Sequence, residues 1–397
     1  MEINLFSEEM RRNPFPVYSQ VRSASPVLND PAQSLWMIFD YDGVKRALND
    51  HDAFSSDMSV AGRVAPDWLL FLDPPRHTKL RSLIMSAFTP RVVANLEPRI
   101  RELSRELLNG TIERGEMDMA ADFAVPLPVM VIAELIGIPA ADWSRFRRWS
   151  DAILTLSFTV PGGQKPMAPP AEYYEMKADM QAYLPGLIAQ KRSAPKDDLL
   201  TRLVQAQVDG EHLTEQEIIA FIQLLLVAGQ ETTANLINNT VLTLAENPDQ
   251  LALLKSNPDL LPLAIEEVSR YRSPFQWTLR ATRRDIDMRG QVIPAGKLVL
   301  AVIGSANRDP SQFRDPDRFD ITRDPNPHVA FGHGIHFCIG SALSRLEGRV
   351  ALSEFLNRIS GLQLASEKPW EPRAALHVYG PTHLPVRFQL ERHAVQS

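Results

Sequence analysis

Apolar positions along the chain recur mostly at helical intervals. Val92, Leu96, Ile100, Leu103 and Leu107 keep the three-to-four spacing of an amphipathic helix and predict one over residues 90–108. Residues 129–136, after Pro128, are apolar almost without interruption and predict a buried helix. The clearest helix runs from Thr214 to about Asn247, with Thr214 and Glu217 in a capping-box pattern and Pro248 as its stop. Its stretch 218–228 is apolar almost all round, which predicts a helix inside the protein. A further helical pattern follows Asn257 and carries Glu266-Glu267-Val268-Ser269-Arg270. Strand patterns are short: residues 35–39, leading through Asp40, Asp42 and Gly43 into a helix, and pieces between 280 and 300 around Gly290 and Gly296. Residues 307–327 read as irregular, and 159–170 as a loop. The expected class is mainly α with a small β region.

Composition then narrows the function. With 397 residues, 44% hydrophobic and 23% charged, the chain can bury a full core, which excludes disorder as its main state. At roughly 150 residues per domain the length alone suggests two or three domains, yet the 31 prolines are scattered and mark no linker. Forty-two Lys and Arg against 48 Asp and Glu leave a net charge of −6, so no basic field for nucleic acid is expected. No apolar run reaches the roughly 18 residues of a membrane span, and the amino terminus is polar, so neither membrane insertion nor a signal peptide is expected. Cys338 is the only cysteine, which rules out an intramolecular disulfide and suits a reducing cytoplasm.

A lone cysteine is commonly a small buried hydrophobe, but the surroundings of this one are unusual. It lies in Phe331-Gly332-His333-Gly334-Ile335-His336-Phe337-Cys338-Ile339-Gly340, just before helical periodicity through Ala342, Leu346 and Val350. A helix start favours the thiolate, which predicts a lowered thiol pKa, and glycines at 332, 334 and 340 leave room for a bulky group. Two metal readings follow: a haem iron with one axial sulfur, or a zinc ion held by His333, His336 and Cys338. Zinc lacks a fourth ligand here, whereas one thiolate suffices for haem and favours O–O cleavage. The apolar helix is interrupted by Ala228-Gly229-Gln230-Glu231-Thr232-Thr233, weak helix formers with a carboxylate, as expected where a ligand lies against it. Glu267 and Arg270 share a helix face; alone, such a pair reads as a solvated salt bridge worth about 0.5 kcal/mol.

These residues resemble the cytochrome P450 superfamily. Residues 331–340 match its haem-binding signature Phe-Gly-x-Gly-x-His-x-Cys-x-Gly, Glu267 to Arg270 its Glu-x-x-Arg motif, and Ala228 to Thr232 its Ala-Gly-x-Glu/Asp-Thr motif. The resemblance covers essentially the whole chain and implies a single cytochrome P450 domain, 1–397, of the soluble bacterial type, with a long buried central helix above the haem. It implies haem b (iron protoporphyrin IX), with Cys338 as the axial iron ligand and Phe331 and Gly340 beside it. His77, Arg81, Arg280 and His336 would meet the haem propionates, and Glu267, Arg270 and Arg318 would form a buried structural triad. Above the haem, Ala228 and Thr232 would face the oxygen site, with Gly229 allowing a local bulge. Thr232 would hold O2 and its water, and Glu231 would relay protons.

The resemblance further implies a monooxygenase hydroxylating an apolar small molecule of the fatty acid, terpenoid or steroid class. Candidate pocket residues are Trp68, Leu69, Leu70, Leu224, Phe275, Gln276, Trp277, Thr278 and Val378. Two electrons would come from a separate ferredoxin or flavodoxin with its NAD(P)H-dependent reductase, docking near Arg76, Lys79, Arg91 and Arg345. A non-catalytic haem sensor, which would not need Glu231 and Thr232, and a colourless zinc hydrolase are the competing readings.

Overall fold

Caps and prolines decide where the helices start and stop. In the computed structural model, which describes residues 7–31, 34–154, 171–373 and 377–391, the central helix spans Glu215–Glu246. Thr214 Oγ1 accepts from the Glu217 amide at 3.2 Å, and the Glu217 carboxylate accepts from the Thr214 amide at 2.8 Å. These bonds satisfy helix-end donors that would otherwise be orphaned. At 1.5 Å per residue the helix runs about 48 Å, long enough to cross the molecule. Its best-buried part is not 218–228, as the apolar pattern suggested, but 233–244, where every residue is buried. Ala228 is exposed and Thr232 half-buried.

The helix expected over 90–108 is two helices, Pro90–Ala94 and Glu97–Asn109. Pro98 lacks an amide hydrogen and its ring crowds the carbonyl four residues earlier, so it fits only in the first turn of a new helix. The apolar helix begins earlier than expected, at Pro126, and follows a π-helical turn, Met119–Ala124, capped by the Asp118 carboxylate. Contrary to the sequence expectation, Met119–Ile136 together is long and apolar enough to span a membrane; most of it is buried against the central helix and Glu97–Asn109. The loop expected at 159–170 lies outside the described residues.

Strands are few and short. A five-stranded sheet has the order Val27–Asp30, Leu35–Ile38, Leu298–Ala301, Thr278–Thr282, Phe54–Ser55. Its neighbours are antiparallel except Leu35–Ile38 with Leu298–Ala301. Pairing with Val299 fixes Arg280 in this sheet. A second sheet joins Ile359–Leu364, Pro385–Leu390 and Glu116–Asp118, with Pro385 opposite Asp118. The helix after the cysteine, Ser341–Leu356, packs on both Glu97–Asn109 and the central helix. Glu354 pairs there with Arg101 and Arg105, and Glu97 with Arg349.

Glu267 and Arg270 are not a surface pair: both side chains are fully buried. Arg270 Nε and Nη2 donate to the two Glu267 oxygens at 2.8 Å each, and its guanidinium also reaches the carbonyls of Asn307, Pro316 and Arg318. The third member of the triad is not Arg318, which is exposed and contributes only its carbonyl. Arg323 takes that place, its Nε 3.2 Å from both Glu267 oxygens. The irregular segment 307–327 wraps this ion pair, and the backbone, not a helical period, decides which arginine turns inward.

Candidate active site

The loop before Cys338 depends on glycines in the left-handed region, Gly332 at φ 77° and Gly334 at φ 72°. A Cβ on Gly334 would lie 3.0 Å from the Leu48 carbonyl oxygen, so side-chain-free backbone is required there. The Cys338 amide donates to the Phe331 carbonyl at 2.8 Å, and the following helix starts at Ser341. Cys338 is exposed at its surface yet surrounded by protein mass. That burial pushes the thiol above its usual value, the reverse of the sequence expectation, and outweighs the Gly340 and Ser341 amides and the Arg345 and Arg81 guanidiniums that favour thiolate. Among the described residues no three His, Cys, Asp or Glu side chains gather as metal ligands, and His336 turns to Ser56 and His77, which argues against the zinc reading.

Phe331 is braced by charge. The Arg345 guanidinium lies 4.1 Å from the centre of its ring and pairs with both oxygens of Glu266 at 2.6 and 2.8 Å. His328 Nε2 is 3.0 Å from the same carboxylate, and these partners hold Glu266 down to about 2 against burial, which alone would raise it. Arg345 is thus spent inside the fold. Arg76 pairs with Glu217 and Lys79 with Glu211, at the start of the central helix. Of the four cations expected to receive a redox partner, only Arg91 is exposed without an ion pair among the described residues.

His77, Arg81, Arg280 and His336 do come together. The two imidazoles pack at 4.2 Å between ring centres, His336 Nε2 is 2.9 Å from Ser56 Oγ, and Arg81 donates to the Phe337 carbonyl at 2.6 Å. Among the described residues, buried Arg280 donates to the Leu279 carbonyl and the Thr278 hydroxyl alone. Burial and the neighbouring cations lower His77 to about 4 and His336 to about 3, and burial lowers Arg280 to about 10. The nearby acid, Asp73, is already taken by Ser55, Ser56 and Arg283. Among the described residues, both ring nitrogens of His77 are buried without a partner. Buried donors around excess positive charge fit a dianion such as the two carboxylates of a haem.

On the central helix, Thr232 Oγ1 donates to the Ala228 carbonyl at 2.6 Å, and the helix stays α-helical throughout. The bulge expected at Gly229 is absent. A Cβ at Gly229 would come 2.6 Å from Ile132 Cδ1, so the missing side chain serves close packing on Pro126–Ile136. Glu231 is 8% exposed, and burial raises its carboxyl, opposed by Arg373. Thr233 Oγ1 donates to Ser344 Oγ at 3.2 Å, tying this turn to the helix that follows Cys338.

The cytochrome P450 family model matches residues 171–374. Cytochrome P450 107B1 of Saccharopolyspora erythraea is 44% identical over 372 residues, 89% of each chain. The chain belongs to the cytochrome P450 family. The structure of P450 CYP109Q5 from Chondromyces apiculatus superposes with a TM-score of 0.90 at 37% identity, covering 98% of this chain and 99% of that one. CYP109E1 from Bacillus megaterium in complex with testosterone gives 0.87 at 38% identity, covering 94% and 99%. As a P450, the protein is a haem-dependent monooxygenase that takes small-molecule substrates and needs redox partners.

Of the pocket residues named for this P450, Trp68 is buried, stacks on Phe71 and points its Nε1 at Gln223 Oε1, 3.4 Å away on the central helix. Leu69 is buried, Leu70 half-buried, and Leu224 packs partly against the core. Phe275 pairs with Val378, and Phe275, Trp277 and Thr278 are half-buried. Gln276 is not a pocket residue: its Nε2 donates to the Ser273 carbonyl at 2.8 Å, and its side chain fills the space a Cβ on Gly304 would take. Sequence reasoning passed over Arg323, Gln223, Arg373 and the fully buried Glu347. Only Glu347 left a signal, an acid beside the apolar face of a helix.

Proposed function

We propose that this P450 hydroxylates an apolar molecule of the steroid, terpenoid or fatty acid class, using O2 and two electrons from a separate ferredoxin or flavodoxin with its NAD(P)H-dependent reductase. The observation that carries the reading is the Thr233–Ser344 hydrogen bond. It sets the turn bearing open Ala228 and Thr232 and buried Glu231 against the helix that begins beside Cys338. Haem, when bound, supplies the iron chemistry that activates dioxygen. Cys338 would bind its iron, the thiolate favoured by the amides of Gly340 and Ser341 once a cation balances the cost of burial. His77, Arg81, Arg280 and His336 would hold the propionates, and Phe331, clamped under Arg345, would shield the sulfur.

On the central helix Thr232 offers its hydroxyl oxygen to incoming water or dioxygen while its proton is held by the Ala228 carbonyl. Burial raises the Glu231 carboxyl, so it holds a proton more readily than a surface carboxylate does. Trp68, Leu69, Phe275, Trp277 and Val378 offer apolar surface and exclude water, which supports an apolar substrate; the testosterone-bound relative agrees in size class. Relatives that align over 89–98% of the chain support one domain, 1–397, and the single thiol, which must stay reduced, supports a cytoplasmic setting. The test is a panel of steroids, terpenoids and fatty acids with surrogate ferredoxin and reductase. Hydroxylated product from at least one class is expected; substrate-induced spectral change and product only with polar compounds would overturn the reading.

A further inference from the structure

Tyr379 and Gly380 lie against the central helix at Asn239 and Asn235, and Asn239 Nδ2 donates to the Tyr379 carbonyl at 2.9 Å. Pro372 pairs with Pro381, and the Arg373 amide donates to the Gly380 carbonyl at 3.1 Å. Gly380 sits against Asn235: a Cβ there would lie 2.4 Å from Asn235 Oδ1. Asn235 is fully buried and one turn beyond Glu231, on the same helix face. The backbone of Arg373 is therefore anchored within a turn of the carboxylate assigned to proton transfer.

Beyond Gly380 the same segment reaches Asp118. The Leu384 amide donates to Asp118 Oδ1 at 2.9 Å, and His383 Nδ1 is 2.6 Å from Asp118 Oδ2, with the His383 side chain 64% exposed. Asp118 also caps the π-helical turn Met119–Ala124, which packs directly on the central helix. Single π turns are uncommon and concentrate at functional sites. Arg373 lies in the fields of both Glu231 and Asp118 but forms a contact ion pair with neither. Among the described residues its Nε is buried without a partner, and Arg11 donates to the Arg373 carbonyl at 2.8 Å. A guanidinium that feels two carboxylates, pairs with neither and is unsatisfied at one nitrogen can favour either.

We propose that Arg373 is a positioning residue that steers the Glu231 carboxylate between the interior and solvent, with the Asp118–His383 pair as its outer anchor. This rests on the assignment of Glu231 to proton transfer. When Arg373 leans to Asp118, Glu231 turns inward toward the Thr232 turn; when it leans to Glu231, the carboxylate is held ionised and exchanges protons with water on the His383 side.

The test uses the haem-loaded enzyme with surrogate redox partners. Arg373→Gln should keep the reduced carbonyl spectrum and the substrate-induced spectral shift, yet lower turnover by roughly 2- to 30-fold and enlarge the solvent deuterium isotope effect on it. Arg373→Lys should restore both toward wild type. In the double variant with Glu231→Gln, loss of Arg373 should cost nothing more, because it acts through that carboxylate. Asp118→Asn should shift the isotope effect in the same sense. An unchanged isotope effect in Arg373→Gln, or losses that multiply in the double variant, would overturn the proposal. If Glu231→Gln alone leaves turnover unchanged, the underlying assignment fails instead. Should Arg373→Gln fail to load haem, Arg373→Lys and Asp118→Asn carry the same readout.

Discussion

Arg270 is the residue whose loss should cost the fold most, and the cost can be worked from its partners. Its guanidinium makes five hydrogen bonds in a fully buried setting: two to Glu267 and one each to the carbonyls of Asn307, Pro316 and Arg318. Arg270→Met keeps much of the volume but removes the charge and every donor. Glu267 keeps Arg323, Asn326 and the Asp320 amide, so its charge is not wholly stranded. The Asn307 and Pro316 carbonyls lose this donor, that of Arg318 keeps Arg323 Nη2 at 3.2 Å, and breaking a buried pair from one side costs about 3–5 kcal/mol. Against a domain stability of about 5–15 kcal/mol, that is a large share.

Arg323→Ala leaves the Arg270–Glu267 pair intact and should cost about 1–2 kcal/mol. Arg318→Ala should change stability by less than about 0.5 kcal/mol, since its guanidinium is exposed and its carbonyl remains. Urea denaturation midpoints of the three variants, compared at equal slope, rank the residues. An Arg318→Ala cost equal to that of Arg323→Ala, or an Arg270→Met cost under about 1 kcal/mol, would refute the reasoning.

Thr232→Ala should keep haem but divert electrons to peroxide, and NADPH use matched to product as tightly as in wild type would contradict the role given to its hydroxyl. Gly229→Ala should gain helix stability of up to about 1 kcal/mol only where Ile132→Val has cleared the Cδ1 contact; equal effects in both backgrounds, by thermal unfolding, would exclude the close-packing account. In the haem-free protein His77 stays neutral down to about 4 while an unfolded histidine takes up its proton near 6.5. Stability should therefore fall as pH drops from 6.5 toward 4, and His77→Gln should flatten that slope in pH-dependent urea titrations.

What was legible in the sequence was local. The Thr214–Glu217 cap and the Pro248 stop bound the central helix because both act within one turn, and the glycine-rich run to Cys338 carries its turn chemistry in neighbouring residues. Apolar periodicity around 218–228 signalled a face that avoids water without telling a packed core from a surface that borders a ligand. Gly229 was read as a helix weakness because Ile132, nearly a hundred residues earlier, was out of view. Arg318 and Arg323 are five apart in a segment with no period, so nothing local says which turns toward Glu267. The same holds for Arg373 and Asp118, brought to the central helix by sheet pairing between distant strands. Arg345 and Lys79 looked available to a partner because their acids, Glu266 and Glu211, are remote in sequence.

Sulfur ligation by Cys338 is the central claim, and the absorption spectrum of the reduced carbonyl complex tests it most directly. The purified protein should show the strongly red-shifted main band of a thiolate-bound haem, and Cys338→His should move that band to the position of an imidazole-bound haem. Protein that carries no haem, or a wild-type spectrum already of the imidazole type, would contradict the account.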